Sequence, residues 1–188
     1  MLILLFGLVL FIALHSFREL GLRARLQARY GSTLYKSGLA IALVISIALL
    51  AIGKGQASFV QLWVPPFNLR SITHLLMISS CILVVAGNLP LSYTRVLMVH
   101  PMLVGVFVWG GAHLMSNGDL ASVLLFAGIG LWALWKFFYL ESLGNKETVR
   151  ATPSLVWDAA AIVFGMIAYT LLLLFHGQLF GFALSTIL

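Results

Sequence analysis

Five histidines are the residues of this chain whose chemistry is hardest to reconcile with their apolar surroundings. They are His15, His74, His100, His113 and His176. A neutral imidazole can ligate a metal ion or a haem iron, and it titrates near neutral pH. Polar side chains are costly in lipid, so a histidine in an apolar segment indicates a site inside a helical bundle. The structural alternative is a helix-end histidine that hydrogen-bonds to backbone or water at the level of the headgroups.

Two of these histidines belong to the stretch HPMLVGVFVWGGAHLMSNGDLAS, which begins at His100 and contains His113. Pro101 suits the first turn of a helix, and Asn117-Gly118-Asp119 predicts a tight turn that ends it. His100 and His113 are 13 residues apart, which on one helix corresponds to about 20 Å along the axis and a rotation of about 220°. They therefore cannot ligate one iron together.

The composition indicates an integral membrane protein. Of the 188 residues, 62% are hydrophobic and 9% are charged, and the mean hydropathy is +1.08. The net charge of +6 does not indicate nucleic-acid binding, because the basic residues cluster between apolar segments, as expected for topology signals beside anionic lipid. Cys81 is the single cysteine, which excludes an internal disulfide and a cysteine-based zinc or iron–sulfur site.

The order of apolar segments predicts an all-α bundle of about six transmembrane helices, in a single domain over residues 1–188. The segments are Met1 to Phe17, Ser37 to Gly53, Ser71 to Leu91, Val96 to Gly118, Leu120 to Trp135 and Ala159 to about Phe175. Arginines follow the first segment, so we expect a retained helix rather than a signal peptide. The tail from Gly177 to Leu188 is expected to lie along the interface or to re-enter the membrane.

The distribution of positive charge predicts the orientation. With six crossings, the first, third and fifth loops share one side and hold nine of the eleven basic residues. The positive-inside rule makes that side cytoplasmic and places both termini outside. His15 and His100 then lie near the inner face, whereas His74, His113 and His176 lie near the outer face. Trp63 and Phe67 are expected as interfacial anchors in the loop after the second helix.

This topology suggests two histidine pairs, His15 with His100 inside and His113 with His176 outside, while His74 is interpreted as structural. His113 lies one turn beyond Trp109, and Gly105, Gly110 and Gly111 precede it on the same helix. Two interpretations of these glycines are open: they leave space for a flat cofactor, or they allow close helix packing.

The few acids favour structural roles. Asp119 is most simply the N-cap of the fifth helix, and its alternative role is to accept a hydrogen bond from His113. Glu19 beside Arg18 and Asp158 near Arg150 are interpreted as loop or headgroup pairs. For the basic run from Arg18 to Arg29 a topology signal is the main interpretation, and a lipid-headgroup site is the alternative.

Several of these motifs resemble the NnrU family of bacterial membrane proteins. The matching features are Phe11…His15-Ser16-x-Arg18, Tyr30-Gly31…Tyr35, HPMLVGVFVWGGAHLMSNGDLASVLLF and Phe175-His176-x-x-Leu179-x-Gly181. The resemblance covers nearly the whole chain. It implies a multi-pass protein of the bacterial inner membrane that is associated with denitrification and nitric-oxide metabolism.

The same resemblance implies haem binding. The family includes the plant zeta-carotene isomerase, an integral membrane enzyme that uses haem b, and His15 and His113 match the positions expected to ligate that haem. The topology derived above places these two histidines at different depths, so the same-depth pairs remain the alternative. The plant enzyme has a cysteine where this chain has Gly110, so a thiolate ligand is missing at that position.

The resulting hypothesis is a membrane protein that binds haem b. The candidate ligands are His113, His15, His100 and His176, and the candidate cofactor contacts are Trp109, Gly110, Asn117, Arg18 and Arg95. One function is isomerisation or redox chemistry on a hydrophobic substrate or with a respiratory redox protein. The alternative is a non-catalytic accessory protein of nitrogen-oxide respiration.

A weaker likeness suggests a different class of enzyme. Arg95 followed by His100-Pro101-x-x-x-Gly105 is similar to the Arg-His-Pro motif with which membrane isoprenylcysteine and phospholipid methyltransferases bind S-adenosylmethionine. Here four residues, 96–99, separate the arginine from the histidine, and the C-terminal acidic motif is not evident. A membrane methyltransferase is therefore the second alternative.

Overall fold

The computed structural model describes residues 1–66, 69–144 and 152–181, and this part of the chain is helical, with eight helices and no strand. The helices are α1 Leu2–His15, α2 Leu22–Tyr30, α3 Ser32–Gly55, α4 Leu69–Ala86, α5 Tyr93–Met98, α6 Pro101–Ser116, α7 Leu120–Ser142 and α8 Leu155–Phe180. The predicted all-α class is confirmed.

Each of the six predicted apolar segments contains a helix. Three of them, α3, α7 and α8, are long and apolar enough to cross a membrane, with mean hydropathies of 2.2, 1.8 and 2.1. The apolar helices α1, α4 and α6 are shorter. The chain is thus a membrane protein with several apolar helices, while a total of six crossings stays a prediction.

The helix boundaries differ from the sequence prediction in an instructive way. Residues 96–118 do not form one helix: the chain breaks at Val99, whose φ is +54°, and α6 begins at Pro101. Proline disfavours helical backbone in the residue before it, here His100, whose φ and ψ are −123° and 62°, so α5 cannot continue into α6 as one helix. The helix α7 runs past Lys136 to Ser142, and the Nζ of Lys136 lies 5.2 Å from the ring centre of Trp132, one turn earlier.

The two additional helices, α2 and α5, are short. The helix α2 lies in a region that was expected to be a loop, whereas α5 begins in the loop before the fourth apolar segment and ends inside that segment at Met98. None of the residues of α2 is buried, and three of its nine residues are arginines. Ser92 begins α5 by accepting a hydrogen bond from the backbone N–H of Arg95 at 3.3 Å. The apolar pattern could not reveal these helices because neither has an apolar length that resembles a membrane span.

By their contacts, residues 1–60 form one compact unit. In this unit α1 packs antiparallel to α3, and glycines allow the two backbones to approach closely. A Cβ at Gly7 would lie 3.0 Å from the backbone nitrogen of Leu50, and a Cβ at Gly53 would collide with the backbone of Leu4. Leu4 and Leu50 are themselves buried at this contact.

Residues 61–188 form the second unit. Within it α6 packs between α4 and α7, and α4 also packs against α8. Small residues again set the spacing: a Cβ at Gly105 would lie 2.9 Å from the carbonyl oxygen of Ser80, and one at Gly165 would lie 2.6 Å from the Cα of Ile82. This arrangement places the C-terminal end of α6 beside α4 and α7, where the candidate site lies.

The turn between α6 and α7 has the predicted structure. The helix α6 ends at Ser116, and Asp119 caps α7 by accepting from the backbone N–H of Ser122 at 3.0 Å. The loop before α4 packs on this turn, because the backbone N–H groups of Leu62 and Trp63 donate to the carbonyl of Gly118. Trp63 is 40% exposed, as an interfacial anchor requires, and Phe67 lies outside the described residues.

Candidate functional site

The imidazole of His113 is held in one orientation by its own helix. Its Nδ1 lies 2.9 Å from the carbonyl oxygen of Trp109, one turn earlier on α6. A carbonyl can only accept, so Nδ1 carries the hydrogen and, in the neutral ring, Nε2 carries the lone pair. Within the part of the chain that the structure describes, Nε2 has no hydrogen-bond partner. His113 is therefore a half-buried imidazole with an available metal-binding nitrogen.

Two aromatic rings fix the sides of this imidazole. Phe126 of α7 stacks on it with 4.3 Å between ring centres and 24° between planes, and the Trp109 ring centre lies at 4.9 Å. Trp109 and Phe126 also contact each other edge to face at 5.1 Å. We call Trp109, His113 and Phe126 the aromatic cluster. It protects the faces of the imidazole and restricts its rotation.

The glycines of α6 have separate roles. A Cβ at Gly110 would lie 2.6 Å from the carbonyl oxygen of Phe126 and 3.2 Å from the Cα of Gly130, so Gly110 allows α6 and α7 to approach. Gly105 has the same role towards α4. At Gly111 a Cβ would meet nothing within 4 Å. Of the two interpretations left open for these glycines, close packing therefore describes Gly105 and Gly110.

His176 of α8 lies near the same end of α6. It is close enough to interact electrostatically with His113, and the pairing of the two rings as ligands stays a prediction. His176 is half-buried, and its ring centre lies 5.1 Å from that of Phe180. Two imidazoles from different helices thus share one end of this unit.

The neighbouring polar groups stabilise the helices around this pair. His74 Nδ1 lies 2.8 Å from the hydroxyl oxygen of Tyr169, which joins α4 to α8. Thr73 Oγ1 lies 2.8 Å from Ser116 Oγ and donates to the carbonyl of Ala112 at 3.2 Å. His74 was interpreted as structural on the sequence, and its contact with Tyr169 is of that kind.

Asn117 and Asp119 are not the partners of the His113 ring. The side-chain amide of Asn117 donates to the backbone carbonyl of His113 at 2.8 Å and so helps to end α6. Asp119 is buried and accepts from both the backbone and the hydroxyl of Ser122. The group that orients the His113 ring is the carbonyl of Trp109, which the sequence analysis had not considered.

The opposite end of α6 has different chemistry. His100 precedes Pro101, its Nε2 lies 3.8 Å from Oε1 of Glu141, and its ring packs edge to face on Phe137 at 6.0 Å. The Arg95 guanidinium donates to the carbonyl of Leu89. The predicted binding of S-adenosylmethionine by Arg95 and His100 stays a prediction, and in the structure Arg95 stabilises the loop before α5.

Asp158 has a role that its sequence position did not indicate. Its carboxylate oxygens accept from the backbone N–H groups of Tyr93 and Thr94 at 2.9 and 3.0 Å. It therefore caps α5 from the first turn of α8. The interpretation as a partner of Arg150 cannot be compared with this contact, because Arg150 lies outside the described residues.

In the N-terminal unit His15 repeats the local geometry of His113. Its Nδ1 lies 2.9 Å from the carbonyl oxygen of Phe11, one turn earlier, and the two rings are 4.0 Å apart between centres. The same tautomer is therefore favoured, with the hydrogen on Nδ1. Arg18 lies three residues further on, at the rim of a surface cavity.

Two side chains near the site, Phe126 and Tyr169, were not predicted from the sequence. Phe126 is one of 13 phenylalanines, and no local pattern separates it from those that face lipid. Tyr169 carried a weak signal, because a hydroxyl in the middle of an apolar segment needs a partner when it is buried. Among the described residues no group of three or more His, Cys, Asp and Glu side chains could hold a metal ion.

Comparison with known proteins agrees with the motifs. No curated protein and no solved structure matches the chain. The family model of the NnrU protein matches residues 3–184, which is nearly the whole chain and includes every histidine described above. The chain therefore belongs to the NnrU family.

Proposed function

We propose that this chain is a six-crossing protein of the bacterial inner membrane that binds haem b, and that His113 would hold the haem iron. The observation that carries the proposal is the His113 imidazole, whose Nδ1 is hydrogen-bonded to a backbone carbonyl and whose Nε2 has no hydrogen-bond partner among the described residues. Ligating histidines in proteins are commonly oriented by such a bond, which also raises their basicity. The Nε2 of His113 is thus a nitrogen that can ligate a haem iron.

The lack of a larger ligand cluster among the described residues suits haem better than a bare metal ion. The porphyrin supplies four nitrogen ligands, so the protein needs to contribute only one or two axial side chains. A structural zinc ion would need about four protein ligands. The aromatic cluster adds apolar surface beside the imidazole, which a porphyrin can contact.

His176 is the second axial ligand that the proposal favours, because it belongs to the same unit and interacts electrostatically with His113. His15 is the alternative implied by the family resemblance, and its Nδ1 contact to the carbonyl of Phe11 gives it the same tautomer. His100 is disfavoured because its Nε2 is directed towards the carboxylate of Glu141.

Two features of the chain support the proposed six-crossing topology. The helix α2 and the beginning of α5 fall in the first and third inter-segment regions, where the basic residues concentrate and where short interfacial helices suit an inner membrane face. The tight turn between α6 and α7 holds only Asp119 as a charged residue, as expected for the outer side.

When bound, haem would supply one-electron chemistry or activation of a redox or apolar substrate. The chain's own residues would set its surroundings: Trp109 and Phe126 exclude water from one side of the imidazole, and the Trp109 carbonyl fixes the ring. We place this activity in nitrogen-oxide metabolism because of family membership. Co-purification with a reductase and no turnover by the isolated protein would instead indicate an accessory role.

The test is a visible spectrum of the purified full chain, oxidised and reduced, after expression with sufficient haem. We expect a Soret band that is lost in His113→Ala and kept in His74→Ala. His74 is a matched control, since it is a half-buried histidine near the same end of the unit whose Nδ1 contacts Tyr169. Circular dichroism would show that both variants are folded.

Single alanine variants of His176 and His15 then identify the second ligand. Loss or a shift of the reduced α band in His176→Ala supports the outer pair, whereas the same change in His15→Ala supports the pair implied by the resemblance. A wild-type protein without a Soret band, or a His113→Ala variant with an unchanged spectrum, would contradict the proposal.

A further inference from the structure

A surface cavity of about 420 Å³ lies in the N-terminal unit, where α1 gives way to α2. It is lined by Arg18, Gly21, Arg23, Ala24 and Gln27. Protein cavities that hold small molecules measure roughly 300–1,000 Å³, so this one can accept a group of the size of a glycerophosphate. Two guanidinium groups and one amide line it, and no acidic side chain does.

The local backbone brings these side chains together. The carbonyl of Phe17 accepts from the N–H groups of both Leu22 and Arg23, at 3.0 and 3.1 Å, which folds the chain back immediately after α1. Gly21 completes this turn with a φ of +68°, a conformation that other residues adopt with strain. Arg23 and Gln27 are four residues apart on α2 and so share a face. The turn places Arg18 beside that face.

The charge of the cavity is not neutralised by the protein. Within the described residues neither Arg18 nor Arg23 forms an ion pair or a hydrogen bond through its side chain. By contrast, the guanidinium carbon of Arg29 on the same helix lies 5.3 Å from the ring centre of Tyr30. Guanidinium groups bind phosphate oxygens through two parallel hydrogen bonds, which makes phosphate the ligand that this cavity fits best.

We infer that this cavity, named here the arginine cavity, binds the phosphate of an anionic lipid headgroup. The lipid is favoured over soluble phosphate because apolar side chains flank the cavity: Leu20 is 60% exposed directly beside Gly21, and Leu22 opens the helix that carries Arg23. An exposed leucine next to unpaired arginines suits the boundary between headgroups and acyl chains. This inference does not depend on haem binding.

The experiment measures binding of dihexanoyl phosphatidylglycerol to the full chain in detergent by native mass spectrometry, with dihexanoyl phosphatidylcholine and inorganic phosphate as further probes. We expect tight binding of phosphatidylglycerol and an affinity about fivefold lower in Arg18→Gln and in Arg23→Gln. Arg23→Lys, which keeps the charge but not the forked donor, should lie between wild type and Arg23→Gln.

Arg25→Gln is the matched control, because Arg25 is exposed on the same helix and does not line the cavity. It should bind like wild type. An equal loss in Arg25→Gln and Arg23→Gln would overturn the inference in favour of diffuse attraction. Equal binding of inorganic phosphate and phosphatidylglycerol would keep the phosphate site but assign it to a soluble anion, and equal binding of phosphatidylcholine would overturn the preference for anionic lipid.

Discussion

The two ends of α6 carry the same side chain in opposite surroundings. At the beginning of the helix His100 faces the carboxylate of Glu141 with 3.8 Å between Nε2 and Oε1. Near its end His113 stacks on Phe126 and has His176 as its ionisable neighbour. The Nε2 of His100 thus has a carboxylate nearby, whereas the Nε2 of His113 has no hydrogen-bond partner among the described residues.

Phe126 beside His113 and Glu141 beside His100 both come from α7, and their positions follow from one packing register. Gly110 lets α6 approach α7 at Phe126, and the antiparallel course of the helices then brings Phe137 and Glu141 to His100. Residue type alone therefore does not decide which histidine can be a ligand. The group nearest to Nε2 decides, and at His100 the packing of α7 places the Glu141 carboxylate there.

The largest stability effect is expected at the contact that sets this register. In Gly110→Ala the new Cβ would lie 2.6 Å from the carbonyl oxygen of Phe126, so α6 and α7 must separate. We expect a loss of about 1–3 kcal/mol in the free energy of unfolding, with a weaker near-ultraviolet signal from Trp109. Thermal unfolding in detergent, followed by circular dichroism, measures it.

Gly111→Ala is the control for this change, since a Cβ there would meet nothing within 4 Å. Its stability should stay the same or rise by up to about 1 kcal/mol, because alanine is the better helix former. Equal destabilisation by the two substitutions would show that backbone freedom, and not the helix contact, requires glycine at these positions.

A smaller loss of stability is expected from a change at the beginning of α7, next to the His113 end of α6. Asp119→Ala removes the N-cap acceptor for Ser122 and should cost about 0.5–2 kcal/mol. Asp119→Asn keeps an accepting oxygen and should retain most of the stability. Both are measured by the same unfolding experiment, and a neutral Asp119→Ala would show that the turn is held by Trp63 and Gly118 instead.

The smallest change in stability is expected at the His100 end of α6. The His100–Glu141 pair is 27% and 39% exposed, so Glu141→Gln should change the free energy of unfolding by less than about 1 kcal/mol. It should leave the haem spectrum unchanged if His113 is the ligand. A spectral change in Glu141→Gln larger than that in His176→Ala would reverse the assignment of the two ends.

Much of this fold could be predicted from local patterns. Pro101 and Asn117 bound α6, Asp119 caps α7, and the turn between them makes α6 and α7 antiparallel neighbours, as predicted. These features depend on residues within one or two turns of each other. The break at Val99 and the helix α2 were missed because the apolar pattern follows hydropathy and not backbone geometry.

The features of the candidate site can also be separated into those that the sequence predicts and those that depend on tertiary contacts. The amino-acid sequence by itself determined that the protein is embedded in a membrane, that its histidines are its main chemical groups, and that His113 follows Trp109 by one helical turn. Only the tertiary structure decided that Phe126 stacks on His113, that Glu141 faces His100, and that Tyr169 contacts His74. These partners lie far apart in the chain, and close packing at glycines determines which of many apolar and aromatic side chains meet.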